Sequence, residues 1–259
     1  MSLKAFFSSC TSKISFFRKW YVFHKQQIRA RIKVGLLIFF CGSIFFVGLY
    51  AFVRPPFTPL MVWRCIQQIN DYQWPIWQRK RVPIEDISPY MVYAVIAAED
   101  NSFVTHFGFD VTALQNAIEF NLSHKGSLLG GSTITQQTAK NLFLWPNQDF
   151  VRKGFEAYFS LLMEALRSKE RIMEVYLNDI EFGNGIYGVE AAAEYYFHTT
   201  AKKLTSYQAS LLAAILPNPR YYQKHLYDYW ITKRKNQISS GISRVRGDVQ
   251  TRTFVRSLK

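Results

Sequence analysis

The chain has 259 residues, 49% of them apolar and 17% aromatic, with only 13 Gly and 9 Pro, enough apolar material for a core of domain size. A disordered chain, a collagen-like repeat and a disulfide-stapled miniprotein are excluded. The formal charge of +14 raises a nucleic-acid or an anionic-membrane partner, and its distribution decides between them.

Residues 1–54 carry nine basic and no acidic side chains, 55–219 carry 13 basic and 16 acidic, and 220–259 carry ten basic and two acidic. Within the first segment, residues 34–53 form an uncharged run of 20, about the length that crosses ~30 Å of hydrocarbon as a helix. Eight basic residues precede the run and Arg54 follows, so the positive-inside rule orients the N-terminus to the cytoplasm and residues 55–259 across the membrane. A cleaved signal peptide has a shorter apolar core, ~7–15 residues, and a small-x-small site that GLYAFVRPP offers poorly. Residues 1–33 then form a basic cytoplasmic leader. Its Phe6-Phe7 and Phe16-Phe17 pairs either lie on the inner leaflet or belong to a disordered segment. Cys10, Cys41 and Cys65 fall in three different compartments on this topology, so neither a disulfide framework nor a cysteine metal site is expected.

Residues 54–84, with RPPFTP, Trp63, Trp74 and Trp77, read as a membrane-proximal stalk. From 85 to 220 helix signals follow one another. Ser88 as cap and Pro89 at the first position open an apolar helix through MVYAVIAA. Asp110 caps a helix to about Leu122, and Ser132 caps one from Thr133 to about Leu142. A helical stretch from Phe150 to Leu177 breaks near Ser168, and FGNGIYG reads as a glycine-rich loop. Thr205 with Gln208 makes a capping box for a helix that stops at Pro217. No strongly alternating β-branched run competes, so the class is mainly α. Residues 221–259 read as a basic tail lying against anionic headgroups.

Three features carry chemistry. Glu99-Asp100 end the apolar helix, where the macrodipole and desolvation both raise a carboxyl pKa, as a general base or acid working near neutrality requires; a solvated helix end is the alternative. In Gly130–Asn141 (GGSTITQQTAKN), Thr133, Gln136, Gln137 and Lys140 share a helical face beside an N-terminus suited to anions, a phosphate- or sugar-binding surface or a solvated face. Arg152 and Glu156 are i and i+4, either a simple helical ion pair or, with Lys153 and Lys140, a pyrophosphate pocket whose cations Glu156 holds. Glu164, Glu170 and Glu174 read as surface charges. His106, His124, His198 and His225 lack metal-ligand spacing, and no metal site is expected.

The ordered motifs Glu99-Asp100-x-x-Phe103-x-x-His106-x-Gly108-Phe109-Asp110, GGSTITQQTAKN, Arg152-Lys153-x-x-Glu156, YLNDIEFGNGIYGVEAAA from Tyr176 and LLAAILPNP ending at Pro219 resemble those of the peptidoglycan glycosyltransferases of family 51. The resemblance is strongest to the monofunctional biosynthetic transglycosylases, because residues 1–259 leave no room for a transpeptidase domain and show none of its SxxK, SxN and KTG signatures. It implies a lysozyme-like, two-lobed, mainly α domain on a single N-terminal transmembrane helix, at the outer face of the bacterial cytoplasmic membrane. The implied reaction polymerises lipid II, with partners restricted to lipid II, the nascent glycan, the membrane and other cell-wall synthases, and no nucleic acid. Glu99 matches the family's base, which deprotonates the acceptor 4-hydroxyl, and Glu156 its second essential carboxylate. Lys140 and Arg152 match the groups that neutralise the leaving pyrophosphate. Ser132, Thr133, Gln137, Asn141, Lys153, Asp100, Phe103 and His106 match supporting positions. No cofactor is required, although a divalent cation, Mg or Mn, could assist. Gln148-Asp149 depart from the basic residue relatives often carry, which bears on the strength of the pyrophosphate clamp.

Other functions fit less well. Glycan hydrolysis or lytic cleavage would need a raised-pKa Glu without the Lys140/Arg152 cluster, and a membrane scaffold would need neither. Nucleic-acid binding finds no organised basic motif.

Overall fold

The computed structural model describes residues 3–53, 55–123, 130–147 and 149–258. The side chains of Phe6, Phe7, Cys10, Phe16 and Phe17, and the residues Arg54, His124 and Gln148, lie outside the described residues. The chain divides into two compact units, Met1–Leu49 and Tyr50–Lys259.

The described residues of the first unit are all in helix α1 (Leu3–Phe52), whose last residues belong to the second unit, and its stretch His24–Tyr50 is long and apolar enough to cross a membrane. The leader and the apolar run are thus one uninterrupted helix, with no break where the charge changes. Nothing in the sequence demands one, since residues 3–52 contain no Pro and Lys and Arg are good helix formers. Leu36, Leu37, Ile38, Phe45 and Phe46 are exposed, as expected of a helix whose solvent is lipid.

The second unit begins with α2 (Pro59–Asn70), opened by Pro59 and capped by the Thr58 hydroxyl, which accepts from Met61 N. The expected stalk is therefore a capped helix followed by strand β1 (Gln78–Arg79) and a single 3-10 turn. Helices α3 (Pro89–Glu99), α4 (Val111–Ser123), α5 (Ile134–Phe143), α6 (Phe150–Leu166) and α7 (Lys169–Asp179) follow. The hydroxyl of Ser168 caps α7 by accepting from Arg171 N, which is why the long helical stretch breaks there. The glycine-rich segment is a hairpin, β2 (Glu181–Gly183) and β3 (Ile186–Tyr187), completed by β1 pairing parallel to β3. Gly185 turns it at φ +74° with Ile76 so close that no Cβ would fit. Then come α8 (Val189–Phe197), α9 (Ser206–Ile215) with the expected Thr205/Gln208 capping box, α10 (Pro219–Tyr222), α11 (Tyr229–Gly247) and α12 (Val249–Ser257).

The centre of this unit is α3 packed against α9 and α11, with α5 sandwiched by α6 and α7. Residues Met91–Ile96 are buried on every side of α3, as its unbroken apolar run requires. Three expectations need correction. The 221–259 segment is not a surface tail: Ile231, Ile238, Ile242 and Val245 of α11 are buried, as are Phe254 and Val255 of α12. Their helical spacing makes one apolar stripe, and net charge hid it. The Ser88 hydroxyl does not cap α3 but donates to Leu204 O at 2.7 Å, tying α3 to the start of the α9 region. Helix α5 is capped by Thr133, not Ser132, through a reciprocal box with Gln136.

Candidate active site

Helix α3 delivers Glu99 at its C-terminal end, packed by the buried helix behind it. Its Oε2 accepts from Gln137 Nε2 at 2.8 Å and its Oε1 from Arg234 Nη2 of α11 at 3.0 Å. The side chain is 13% exposed. Burial pushes its carboxyl above the usual range, while Gln137, Arg234 and the charge of Lys140 hold it back. The carboxylate is thus fixed in orientation by two donors and poised to take a proton.

Asp100 turns the other way. Both of its oxygens lie 2.9 Å from His106 Nε2, and Oδ2 accepts from Ile134 N, the first residue of α5, at 2.9 Å. Thr133 supports the same junction, accepting from Gln136 N and donating to Gly108 O at 2.7 Å. Phe103 is fully buried, edge-on to His106 and Phe254, under the Lys169 ammonium. Asp100, Phe103, His106 and Thr133 therefore set the N-terminus of α5 against the end of α3. They place Gln137 on Glu99. Gln136, which shares the expected polar face, is spent on the capping box.

A second cluster comes from α6, capped by Asp149, whose Oδ1 accepts from Arg152 N at 2.7 Å. Arg152 Nη1 donates to Glu156 Oε2 at 2.6 Å, Lys153 bonds the other Glu156 oxygen, and Lys153 Nζ reaches Ser132 Oγ at 3.1 Å. Arg152 is 7% and Glu156 3% exposed, so this is a buried charge cluster rather than a solvated helical pair. Arg152 Nε is buried with no partner among the described residues. Lys140 faces this cluster without a salt bridge among the described residues. Burial lowers its ammonium pKa, with Arg152 and Lys153 adding to the effect and Glu156 and Glu99 opposing it.

Ser132, Gln137, Lys140, Asn141, Arg152, Lys153 and Glu156 line one cleft of about 640 Å³. Glu99 stands beside it, joined through Gln137. A buried carboxylate linked through Gln137 to a cleft lined by cations is the arrangement that a transfer with an anionic leaving group needs.

Glu164, expected at the surface, is buried and accepts from Gly108 N, Thr135 Oγ1 and Lys169 Nζ. It ties α6 to the loop before α4 and to α5. Arg234, Arg64 and Glu181 were not anticipated. Arg234 was hidden in the basic run KRK, though the buried stripe of α11 would have marked it as core-facing. Arg64 and Glu181 line the cleft and pair at 3.3 Å; the cap at Thr58 and the proline at 59 were the available signals for the helix that carries Arg64.

The residues do not form a cage for a resident metal: among the described residues no three His, Cys, Asp or Glu side chains converge, and Glu99, Glu156 and Glu181 are each already bonded to Arg or Lys.

The family model described as Transglycosylase matches residues 66–242, from within α2 to within α11, wider than the 85–220 expected. A protein of Bdellovibrio bacteriovorus named "Biosynthetic peptidoglycan transglycosylase" is 48% identical over 218 residues, covering 84% of this chain and 87% of that one. Proteins of the same name are 49% identical over 203 residues in Bacteroides thetaiotaomicron, covering 78% and 82%, and 45% over 227 residues in Caulobacter vibrioides, covering 87% and 96%.

Proposed function

This chain belongs to the transglycosylase family, and we propose that its cleft polymerises lipid II into linear glycan strands for the cell wall by a base-assisted displacement at the anomeric carbon. The observation that carries this reading is the buried Glu99, oriented by Gln137 and Arg234, with Gln137 also lining the cleft that holds Lys140, Arg152 and Lys153.

Glu99 takes the proton of the 4-hydroxyl of the acceptor GlcNAc as its oxygen attacks C1 of the MurNAc at the end of the growing chain. The C1–O bond to the pyrophosphate breaks, the anomeric centre inverts to a β-1,4 linkage, and undecaprenyl pyrophosphate leaves as an anion. That leaving group needs charge neutralisation rather than a proton. Lys140 supplies a cation without a salt-bridge partner among the described residues, and Arg152 and Lys153 line the same cleft. Glu156 fixes Arg152 and Lys153. Burial helps on both sides, because it makes Glu99 a stronger base and strengthens each attraction to the phosphates. No cofactor is required in this reading.

Helix α1 provides the single-pass membrane anchor, and its flanking charges put the N-terminus in the cytoplasm and the catalytic unit outside, where lipid II presents its sugars. Incubating the purified protein with labelled lipid II tests the reading. Lysozyme-sensitive glycan of high molecular weight is the expected product; release of disaccharide without polymer would point to hydrolysis instead.

A further inference from the structure

The cations assigned to the leaving group all come from α5 and α6, yet α2, which packs on α5, brings a guanidinium to the same cleft. Arg64 of α2 lines it, and its side chain is 22% exposed. Arg64 Nε donates to Glu181 Oε2 at 3.3 Å and Nη1 donates to Gln67 Oε1 at 2.8 Å. Both restraints come from within the same unit, one from the next turn of α2 and one from strand β2. They fix the plane of the fork while Nη2 keeps its donors free among the described residues. A fork held on two edges and open on the third has lost its rotamer entropy before a ligand arrives, which is how arginine binds phosphate tightly. Glu181 is 7% exposed at its side chain, and burial pushes its carboxyl pKa up, with Arg64 as the nearest opposing charge. A carboxylate in so dry a place has a strong claim on that guanidinium.

The reaction proposed above brings two lipid-linked pyrophosphates to the cleft at once, one leaving with the donor and one retained by the acceptor. Of the α5 and α6 cations, Arg152 and Lys153 share Glu156, so three cations less one carboxylate leave two positive charges, which one such doubly charged group neutralises. We propose that Arg64 is a phosphate-binding residue of the cleft, held in place by Glu181 as a positioning residue, and that it contacts the pyrophosphate of the lipid-linked substrate. Helix α2 is thereby part of the active site rather than a spacer.

The test uses the full-length protein in detergent, with kcat/KM for lipid II measured against salt concentration. Arg64→Gln is expected to lower kcat/KM roughly tenfold, as for loss of one charge-assisted hydrogen bond, and to flatten its salt dependence. Arg64→Lys is expected to restore the salt dependence and part of the rate. Glu181→Gln should shift kcat/KM in the wild-type background and leave it in place in the Arg64→Gln background, which separates action through Arg64 from a direct effect. Wild-type kcat/KM in a folded Arg64→Gln protein overturns the proposal. So does an equal loss in the Gln and Lys variants with an unchanged salt slope, because that pattern marks a packing role. If Arg64→Gln does not fold, Arg64→Lys decides alone: a measurable rate below wild type with the wild-type salt slope is expected, and an inactive protein overturns it. The wild type run in parallel keeps the two readings apart, since its failure to polymerise lipid II removes the reaction itself.

Discussion

Glu99 owes its chemistry to two donors that arrive from distant points in the chain, Gln137 and Arg234. The cation lowers the carboxyl pKa that burial raises, so Arg234→Ala should move the acid limb of the kcat/KM profile to higher pH. The sign follows directly: with the positive neighbour gone the carboxylate is harder to form, and the base is ionised only at higher pH. The alkaline limb, if set by Lys140, should lie below the usual lysine range because burial lowers that ammonium. An acid limb that stays in place in the Arg234 variant would show that Glu99 does not feel this ion pair. At Glu156 the expectation concerns stability as well as rate. It is buried between Arg152 and Lys153, and Glu156→Ala leaves a buried guanidinium without its partner, at a cost of about 3 kcal/mol, readable as a lower denaturation midpoint. A variant of wild-type stability would mean that solvent already compensates these charges. At this scale the sequence was informative where motifs are local, as in Arg152-x-x-x-Glu156 and the GGST turn. It could not name Glu99 as the partner of Arg234, or Arg64 as that of Glu181, because a contact made across more than a hundred positions leaves no local signal.

Among the elements, α11 does the most that was unforeseen. It packs on α3 and α9 through a single apolar stripe, and Gly241 lets it approach Ala97 so closely that an added Cβ would sit 3.2 Å from the alanine methyl. Ser239 and Ser210 share a hydrogen bond at 3.0 Å across the α9 contact. Ile242→Ala should therefore cost about 2–4 kcal/mol in thermal or denaturant unfolding and reduce activity with it. A segment lying on headgroups would lose membrane affinity and keep its melting temperature. The ten basic residues of this region made it look like a charge feature, whereas the four apolar positions at helical spacing were the stronger signal. Most other helices were legible because their punctuation is chemical: Pro89, Ser168, Thr205-x-x-Gln208 and Pro217 each act on the backbone directly. The small sheet escaped notice because strands of two or three residues carry too little alternation to read.

For the whole molecule, the excess charge divides by role. The N-terminal unit carries most of its basic residues on a helix long enough to span a bilayer, and the cations of the cleft, Lys140, Arg152 and Lys153, lie in the segment whose charge is close to balance. Because the second unit is compact by itself, a protein lacking residues 1–49 should fold and retain polymerising activity in detergent, while losing rate on lipid II in vesicles. Lys140→Ala in the full-length chain should cost more than that truncation does in detergent. An equal loss from the two changes would argue that Lys140 serves binding at the membrane instead of chemistry. Whether Glu99 is the base of a polymerising transfer is decided by comparing wild type and Glu99→Gln, both folded, on labelled lipid II. Lysozyme-sensitive polymer is expected from the wild type, with a rate about 10²–10⁴-fold lower in the variant; polymer formed at equal rates by both proteins would rule that role out.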